Sequence, residues 1–197
     1  MVDEIARYNM VDEIARYNKE RWEELAQANV PYSRPMLQLD EGSAREVVDP
    51  VGMIGRIEGK DVLCLAGGGG QQSAAFALLG ANVTVLDITE TQLERDRQAA
   101  AHYGVKVAIV QGDMRDLSCF GEGAFDVVWH AHSINFVPNA RAVFREVARV
   151  LRPGGLYCLH CHNPFNHGVN HEDWNGDGYP LRLPYLDGEI TGIDMTW

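Results

Sequence analysis

The stretch Asp61-Val-Leu-Cys-Leu-Ala-Gly-Gly-Gly-Gly-Gln-Gln-Ser73 decides the fold. An unbroken apolar run is typical of a strand buried in a parallel sheet, and here the run stops at four consecutive glycines. Glycines let a ligand approach the backbone closely, and a helix predicted over residues 71–79 would direct its unpaired amides towards an acceptor group above the turn. The stretch therefore predicts a strand, a binding turn of the nucleotide type and a helix.

Composition indicates one globular domain. The chain has 197 residues, of which 46% are hydrophobic and 23% charged, enough for a sizeable core. A net charge of -11 disfavours nonspecific binding to nucleic acid or to an anionic membrane. No apolar run approaches the roughly 20 residues that span a bilayer, and the N-terminus is not signal-like. Four scattered cysteines favour a reducing, cytoplasmic location, and the oligomeric state stays open.

Strand and helix patterns alternate from residue 60 onwards. Each predicted strand is short and apolar, and the helices between them show an apolar face. A capping box of Thr89 and Gln92 is expected to begin the second of these helices. The predicted strands are residues 62–66, 82–86, 105–110, 125–130 and 156–161, and the helices are residues 71–79, 90–103 and 140–151. This order predicts an α/β fold with a doubly wound, mostly parallel sheet, in which the third crossover is too short for a full helix.

The two ends of the chain are less regular. Residues 1–9 are repeated identically at 10–18. A shift of nine residues turns a helix by about 900°, so the two copies present their apolar stripes on opposite faces. We therefore predict a duplicated segment (1–9), an N-terminal helix over residues 10–28 with a linker to residue 58 that caps the site, a core (59–162), and an irregular loop (163–197) with a possible strand at 189–197.

Acidic residues follow two of the predicted strands. Asp87 lies 19 residues after Gly68, where a carboxylate can accept two hydrogen bonds from ribose hydroxyls. Asp113 can accept from an exocyclic amine, and Met114 can pack on a flat ring. The alternatives are a charge at a helix N-terminus for Asp87 and a turn former for Asp113.

Five motifs in order resemble the class I, S-adenosylmethionine-dependent methyltransferase family that acts on small molecules. They are VLCLAGGGG (62–70), VLD (85–87), GDM (112–114), FDVV (125–128) and VLRPGG (150–155). The resemblance implies a Rossmann-like fold in which Gly68 and Gly70 face the methionine part of the cofactor, Asp87 the ribose, and Asp113 and Met114 the adenine. The implied cofactor-binding set is Ala66, Gly67, Gly68, Gly70, Gln71, Asp87, Ile88, Gly112, Asp113, Met114 and the backbone of His130, just beyond the fourth strand.

This sequence departs from the family pattern in three respects. Cys64 stands where the family often has an acidic residue, and Ala66 replaces the first glycine. The resemblance also implies a further helix and an antiparallel strand pair after the fifth strand, for which about 36 residues are left. We therefore expect the last strands to be incomplete or missing, with the chain truncated at its C-terminus relative to the family.

His132 is the candidate catalytic residue. Methyl transfer is an in-line displacement that depends mainly on alignment, and a general base is needed only for a protonated nucleophile. His132, with Asn135 as an orienting amide, would serve as that base, whereas a loop histidine without a catalytic role is the alternative. We predict no metal, because His160 and His162 would lie on one face of a strand and Cys161 on the other. The segment from Asp173 resembles a calcium loop but has Pro184 at its twelfth position.

The sequence is compatible with two alternative functions. An NAD(P)-dependent oxidoreductase shares the strand, the glycine turn and the acidic residue, but Gln72 or Ser73 replaces the third glycine of its fingerprint. The second alternative is a non-catalytic cofactor-binding protein or an inactive truncated methyltransferase. The leading prediction is methyl transfer from S-adenosylmethionine to a small molecule, with S-adenosylhomocysteine as product.

Overall fold

A computed structural model describes residues 2–163, 169 and 171–180 of the chain. The chain divides into two units, Met1–His160 and Cys161–Trp197. The first contains the sheet and its helices. In the second, the described residues include a short 3₁₀ turn at His171–Asp173 and a turn in which Asn175 Oδ1 accepts from the Asp177 and Gly178 amides at 2.9 and 2.8 Å. The strand predicted at 189–197 lies outside the described residues.

Five parallel strands form the sheet, in the order β3-β2-β1-β4-β5. This arrangement confirms the predicted parallel α/β fold. The strands are β1 (Asp61–Leu65), β2 (Asn82–Asp87), β3 (Val107–Gln111), β4 (Phe125–Ala131) and β5 (Leu151–His160). Because β1 is central and the chain leaves it first on one side and later on the other, the order reverses between β1 and β4. Such a reversal opens a crevice at the carboxyl ends of the strands.

Helices cover both faces of the sheet. They are α1 (Val2–Gln27), α2 (Glu41–Val48), α3 (Gln72–Leu78), α4 (Glu90–Tyr103) and α5 (Ala140–Val150). Helices α2, α3 and α4 contribute to a core that includes Val62, Val85 and Trp129. Helix α5 packs on the other face, against Leu63 and Val128. The alternation of side chains along each strand separates the two cores, which confirms the doubly wound architecture.

Several predicted boundaries were wrong. Helix α1 begins at Val2 and not at residue 10, because residues 1–9 contain no helix breaker. The opposite faces of the two repeated apolar stripes limit what the helix can pack against, but they do not determine where the helix begins. Helix α2 lies in the predicted linker and begins at a capping box in which Ser43 N donates to Asp40 Oδ1 at 2.8 Å. Strand β5 begins at Leu151, five residues early, and its register with β4 shifts between Phe125 and Val127. It ends at His160, so His162 is not part of it.

Among the described helices, none is long and apolar enough to cross a membrane. The third crossover, between β3 and β4, contains turns and no helix, as predicted.

Candidate cofactor site

The glycine turn begins directly after β1 with a residue in the left-handed region. Ala66 has φ 45°, a conformation that costs an L-residue about 1–2 kcal/mol relative to glycine. Gly69 and Gly70 follow with φ 125° and 70°. Replacement of the first glycine by Ala66 therefore leaves the turn in place, with local strain that the surrounding contacts must offset.

The turn packs closely against α4. A Cβ atom on Gly68 would lie 2.8 Å from Gln92 Cβ and 3.0 Å from Asp87 Cγ, and one on Gly70 would lie 2.5 Å from the Arg95 carbonyl oxygen. No side chain fits at either position without displacement of α4 or β2. The glycines are thus required by the packing of the protein itself as well as by access for a ligand.

Three successive amides of the turn donate to two carboxylates. Gly68 N donates to Asp87 Oδ2 at 3.0 Å, and Gly69 N and Gly70 N donate to Asp96 Oδ2 and Oδ1 at 2.9 and 3.1 Å. The amides of residues 68–70 are therefore engaged within the protein, and the role predicted for the amides of the following helix stays a prediction. The two carboxylates make the turn acidic.

Asp87 is held at the carboxyl end of β2. Its Oδ1 accepts from the amide and the hydroxyl of Thr89 at 2.9 and 2.7 Å, and the side chain is nearly buried. The predicted capping box is wrong because the Thr89 hydroxyl binds Asp87 and makes no cap hydrogen bond to α4. Burial raises the pKa of Asp87, opposed by the hydrogen bonds from Thr89 and Gly68.

Asp96 and Gln92 are site residues that sequence reasoning missed. Asp96 is fully buried, and Gln92 Oε1 has no hydrogen-bond partner among the described residues. Burial raises the pKa of Asp96 to about 6. One signal was available: Asp96 lies three residues from both Leu93 and Ala99 on the buried face of α4, where an unpaired charge is unfavourable.

The segment before α2 lies against the glycine turn. Met36 N donates to the Gly70 carbonyl at 3.2 Å, and Gln71 Nε2 donates to the carbonyls of Tyr32 and Arg34, each at 2.9 Å. Arg95 donates to the carbonyls of Ser33 and Ala26. These contacts bring part of the predicted N-terminal cap to the turn. In this arrangement the side-chain amide of Gln71 binds the backbone of Tyr32 and Arg34.

The end of β3 lies beside that of β2. Gly112 N donates to the Asp87 carbonyl at 2.9 Å. The carboxylate of Asp113 pairs with Arg115, whose Nη2 lies 2.6 Å from Asp113 Oδ2. Met114 packs against the core on the α5 side of the sheet, and the carbonyl of the half-buried Ile88 accepts from Gln111 Nε2 at 3.2 Å. Gly112, Asp113 and Met114 are thus adjacent to Asp87, with Asp113 already engaged by a guanidinium.

The two histidines of β4 and its end differ in environment. His130 lies within β4 and not beyond it, fully buried, with Nδ1 2.8 Å from the Tyr157 hydroxyl. Burial lowers the pKa of His130 to about 4. His132 is exposed, has φ 53°, and its amide donates to the His160 carbonyl at 2.8 Å. Asn135 Nδ2 donates to the His132 carbonyl at 2.7 Å, so Asn135 fixes the backbone of His132 and does not orient its ring.

The residues present fit an adenosyl cofactor. Asp87 retains acceptor capacity on Oδ2, and the side-chain oxygen of Gln92, Oε1, which has no hydrogen-bond partner among the described residues, lies 3.6 Å from the position of a Cβ on Gly69. The site is therefore rich in hydrogen-bond acceptors, which suits hydroxyl and ammonium groups.

Comparison with known proteins defines the class. Residues 63–159 match a family model described as a methyltransferase domain. Together with the sheet order and the glycine turn, this match shows that residues 63–159 belong to the class I, S-adenosylmethionine-dependent methyltransferase family.

Three proteins illustrate what the chain is similar to. An uncharacterised methyltransferase, YbaJ, of Bacillus subtilis is 45% identical over 55% of this chain and 42% of its own length. A ubiquinone biosynthesis O-methyltransferase of Bordetella avium is 33% identical over 52% of this chain and 43% of its own length. The crystal structure of the PH0226 protein from Pyrococcus horikoshii matches with a TM-score of 0.55 and 32% identity, over 66% of this chain and 62% of that one. The chain matches less than half the length of these two curated relatives.

Proposed function

We propose that this chain transfers a methyl group from S-adenosylmethionine to a small-molecule acceptor. The observation that carries the proposal is the pair of buried carboxylates, Asp87 and Asp96, that accept all three amides of Gly68, Gly69 and Gly70. A dinucleotide needs free turn amides for its pyrophosphate, and two carboxylates at that position would repel it. A ligand with hydroxyl groups and positive charge is compatible with the same turn.

Named residues would hold the cofactor. Asp87 would accept from the ribose hydroxyls, glycines 68–70 would admit the amino-acid part, and Met114 and Ile88 would contact the adenine. The cofactor supplies an activated methyl group on a sulfonium. The chain's own contribution is alignment, which a turn fixed by buried carboxylates provides.

The acceptor is proposed to bind near the end of β4. His132 is exposed there and its backbone is held by the His160 carbonyl, and we propose its imidazole as the general base for an acceptor that arrives protonated. The relative from Bordetella avium, named for O-methylation in ubiquinone biosynthesis, supports a small molecule. The net charge of -11 supports an acceptor other than nucleic acid, and four unpaired cysteines support a cytoplasmic location.

Calorimetry tests the proposal. We expect the protein to bind S-adenosylhomocysteine but not NADH, and Asp87→Ala to weaken the first interaction by about 1–3 kcal/mol because charge-assisted hydrogen bonds to the ribose are lost. Glu90→Ala is the matched control, since it removes an exposed acid three residues away and should leave the affinity unchanged. Binding of NADH alone, or an unchanged affinity in Asp87→Ala, would contradict the proposal.

A further inference from the structure

Asp96 occupies an unusual position behind the glycine turn. Its side chain is fully buried, and its two oxygens accept from the amides of Gly69 and Gly70 and from the hydroxyl of Ser73. A single carboxylate of α4 therefore connects the turn to the first residues of α3. No motif that indicated the methyltransferase family includes this residue.

These hydrogen bonds determine which way the turn faces. Gly69 and Gly70 both have positive φ, and their amides point to Asp96, so the peptide planes of residues 68–70 are oriented from inside the protein. Glycine itself has little conformational preference, which means that the turn needs an external constraint. The Asp96 carboxylate, with three donors, supplies the side-chain constraint. Two backbone hydrogen bonds add to it: Gly69 N also donates to the Gln92 carbonyl at 3.1 Å, and Met36 N donates to the Gly70 carbonyl at 3.2 Å.

We propose that Asp96 is a positioning residue for the cofactor: its ionised carboxylate holds the amides of Gly69 and Gly70 and thereby keeps the glycine turn in the conformation that receives the ligand. This inference rests on the proposed function. Asp96 acts through the turn and has no direct part in methyl transfer. The ionised form matters because a protonated oxygen loses acceptor capacity towards Gly70 and Ser73.

The groups around Asp96 make its ionisation sensitive to pH. It faces the buried thiol of Cys64 in β1, the carboxylate of Asp87 in β2 and the hydroxyl of Ser73 in α3; the neighbouring Arg95 directs its guanidinium to backbone carbonyls of residues 26 and 33. Burial and the charge of Asp87 raise the pKa of Asp96, whereas the three donors lower it. Affinity for the cofactor should therefore fall as the pH decreases through about 6.

The test is calorimetric titration of the full chain with S-adenosylhomocysteine between pH 5 and 7.5. For the wild-type protein we expect affinity to rise with pH over this range. For Asp96→Asn we expect affinity at pH 7.5 to be lower by about tenfold, from the loss of one charge-assisted acceptor, and its rise with pH to disappear. A merely structural role would lower the melting temperature without a change in the pH profile.

Asp49→Asn is the matched control. Asp49 is a buried carboxylate that also accepts two consecutive amides, those of Ile54 and Gly55 at 3.1 and 3.0 Å, in the loop that follows α2. Loss of this carboxylate should lower stability but keep both the affinity and its pH dependence.

Ser73→Ala gives a second, milder test. The Ser73 hydroxyl donates to the ionised form of Asp96, so its loss should raise the pKa of Asp96 and move the midpoint of the affinity profile to higher pH. An unmoved midpoint, or an Asp96→Asn variant with wild-type affinity and profile, would overturn the inference while the proposed function stands. A wild-type protein that does not bind S-adenosylhomocysteine at all would overturn both.

Discussion

At the scale of the residue, space around the glycine turn is limited by named atoms. A Cβ on Gly68 would lie between Gln92 Cβ at 2.8 Å and Asp87 Cγ at 3.0 Å, and neither neighbour is the end of a flexible chain. The same contact places Asp87 against the turn, so a shift that relieves a new methyl group also breaks the hydrogen bond from Gly68 N to Asp87 Oδ2.

Gly68→Ala should therefore destabilise the fold and the site together. We expect a loss of about 1–3 kcal/mol in the free energy of unfolding, the usual cost of overpacking, and a weaker affinity for S-adenosylhomocysteine. Urea denaturation and calorimetry measure the two effects. Gly121→Ala is the control, because a Cβ there meets nothing within 4 Å. Equal stability of the two variants would contradict the contact geometry.

The residues of the site were only partly accessible to sequence reasoning. Asp87 and the glycines follow strands that read as apolar runs, so their place at the carboxyl edge of the sheet was predictable. Asp96 was not assigned to the site, because its role depends on contacts between residues 23 to 27 positions apart. His130 lies within β4 and not at its end because Ala131, one residue further, still pairs with His160 of β5.

At the level of helices and strands, the stability contributions of two buried groups, Asp96 and His130, change with pH in opposite directions. Asp96 on α4 has its pKa raised from 3.8 to about 6, so it contributes stability that is present below pH 4 and lost as the pH rises through 6. His130 in β4 has its pKa lowered from 6.5 to about 4, so its contribution is present above pH 6.5 and lost as the pH falls through 4. Each amounts to about 3 kcal/mol.

The contributions of Asp96 and His130 therefore nearly cancel each other between pH 4 and 6.5. In Asp96→Asn the His130 contribution is no longer offset, so the free energy of unfolding should increase across this window by about 3 kcal/mol more than in the wild-type protein. In His130→Leu it should decrease, relative to the wild-type protein, by a similar amount. Chemical denaturation at several pH values measures the three profiles, and a wild-type profile in either variant would contradict the assigned group.

At the scale of the whole molecule, the sheet was predictable and its N-terminal attachment was not. Parallel strands buried on both faces are apolar throughout, which is why all five were located from the sequence within a few residues of their observed bounds. Helix α2 was missed because Pro31 and Pro35, which disfavour a helix, indicated an extended linker, while its capping box begins at Asp40, five residues after Pro35. The contacts that join residues 26–36 to the core include those of Gly70, Gln71, Arg95 and Tyr103, far along the chain.

Arg95 connects the N-terminal segment to the core through a buried guanidinium. Its guanidinium is nearly buried and donates to the carbonyls of Ala26, at the end of α1, and Ser33, and also to the Ser33 hydroxyl. Arg95→Met keeps the apolar stem but leaves these buried acceptors without donors, at a cost of about 1–3 kcal/mol for each unsatisfied group. We therefore expect residues 19–34 to open more often than the core.

Limited digestion with trypsin, followed by mass spectrometry, measures this opening. Cleavage after Lys19 and Arg21 should be faster in Arg95→Met than in the wild-type protein, while fragments from β1 to β5 persist. Arg97→Met is the matched control on the same helix: it also removes one trypsin site, but Arg97 is exposed and pairs with Glu90 and Glu94, so its loss should leave stability nearly unchanged. Equal cleavage rates in the two variants would show that the N-terminal segment is held by its apolar contacts, such as that of Trp22 with Phe136, and not by the buried guanidinium.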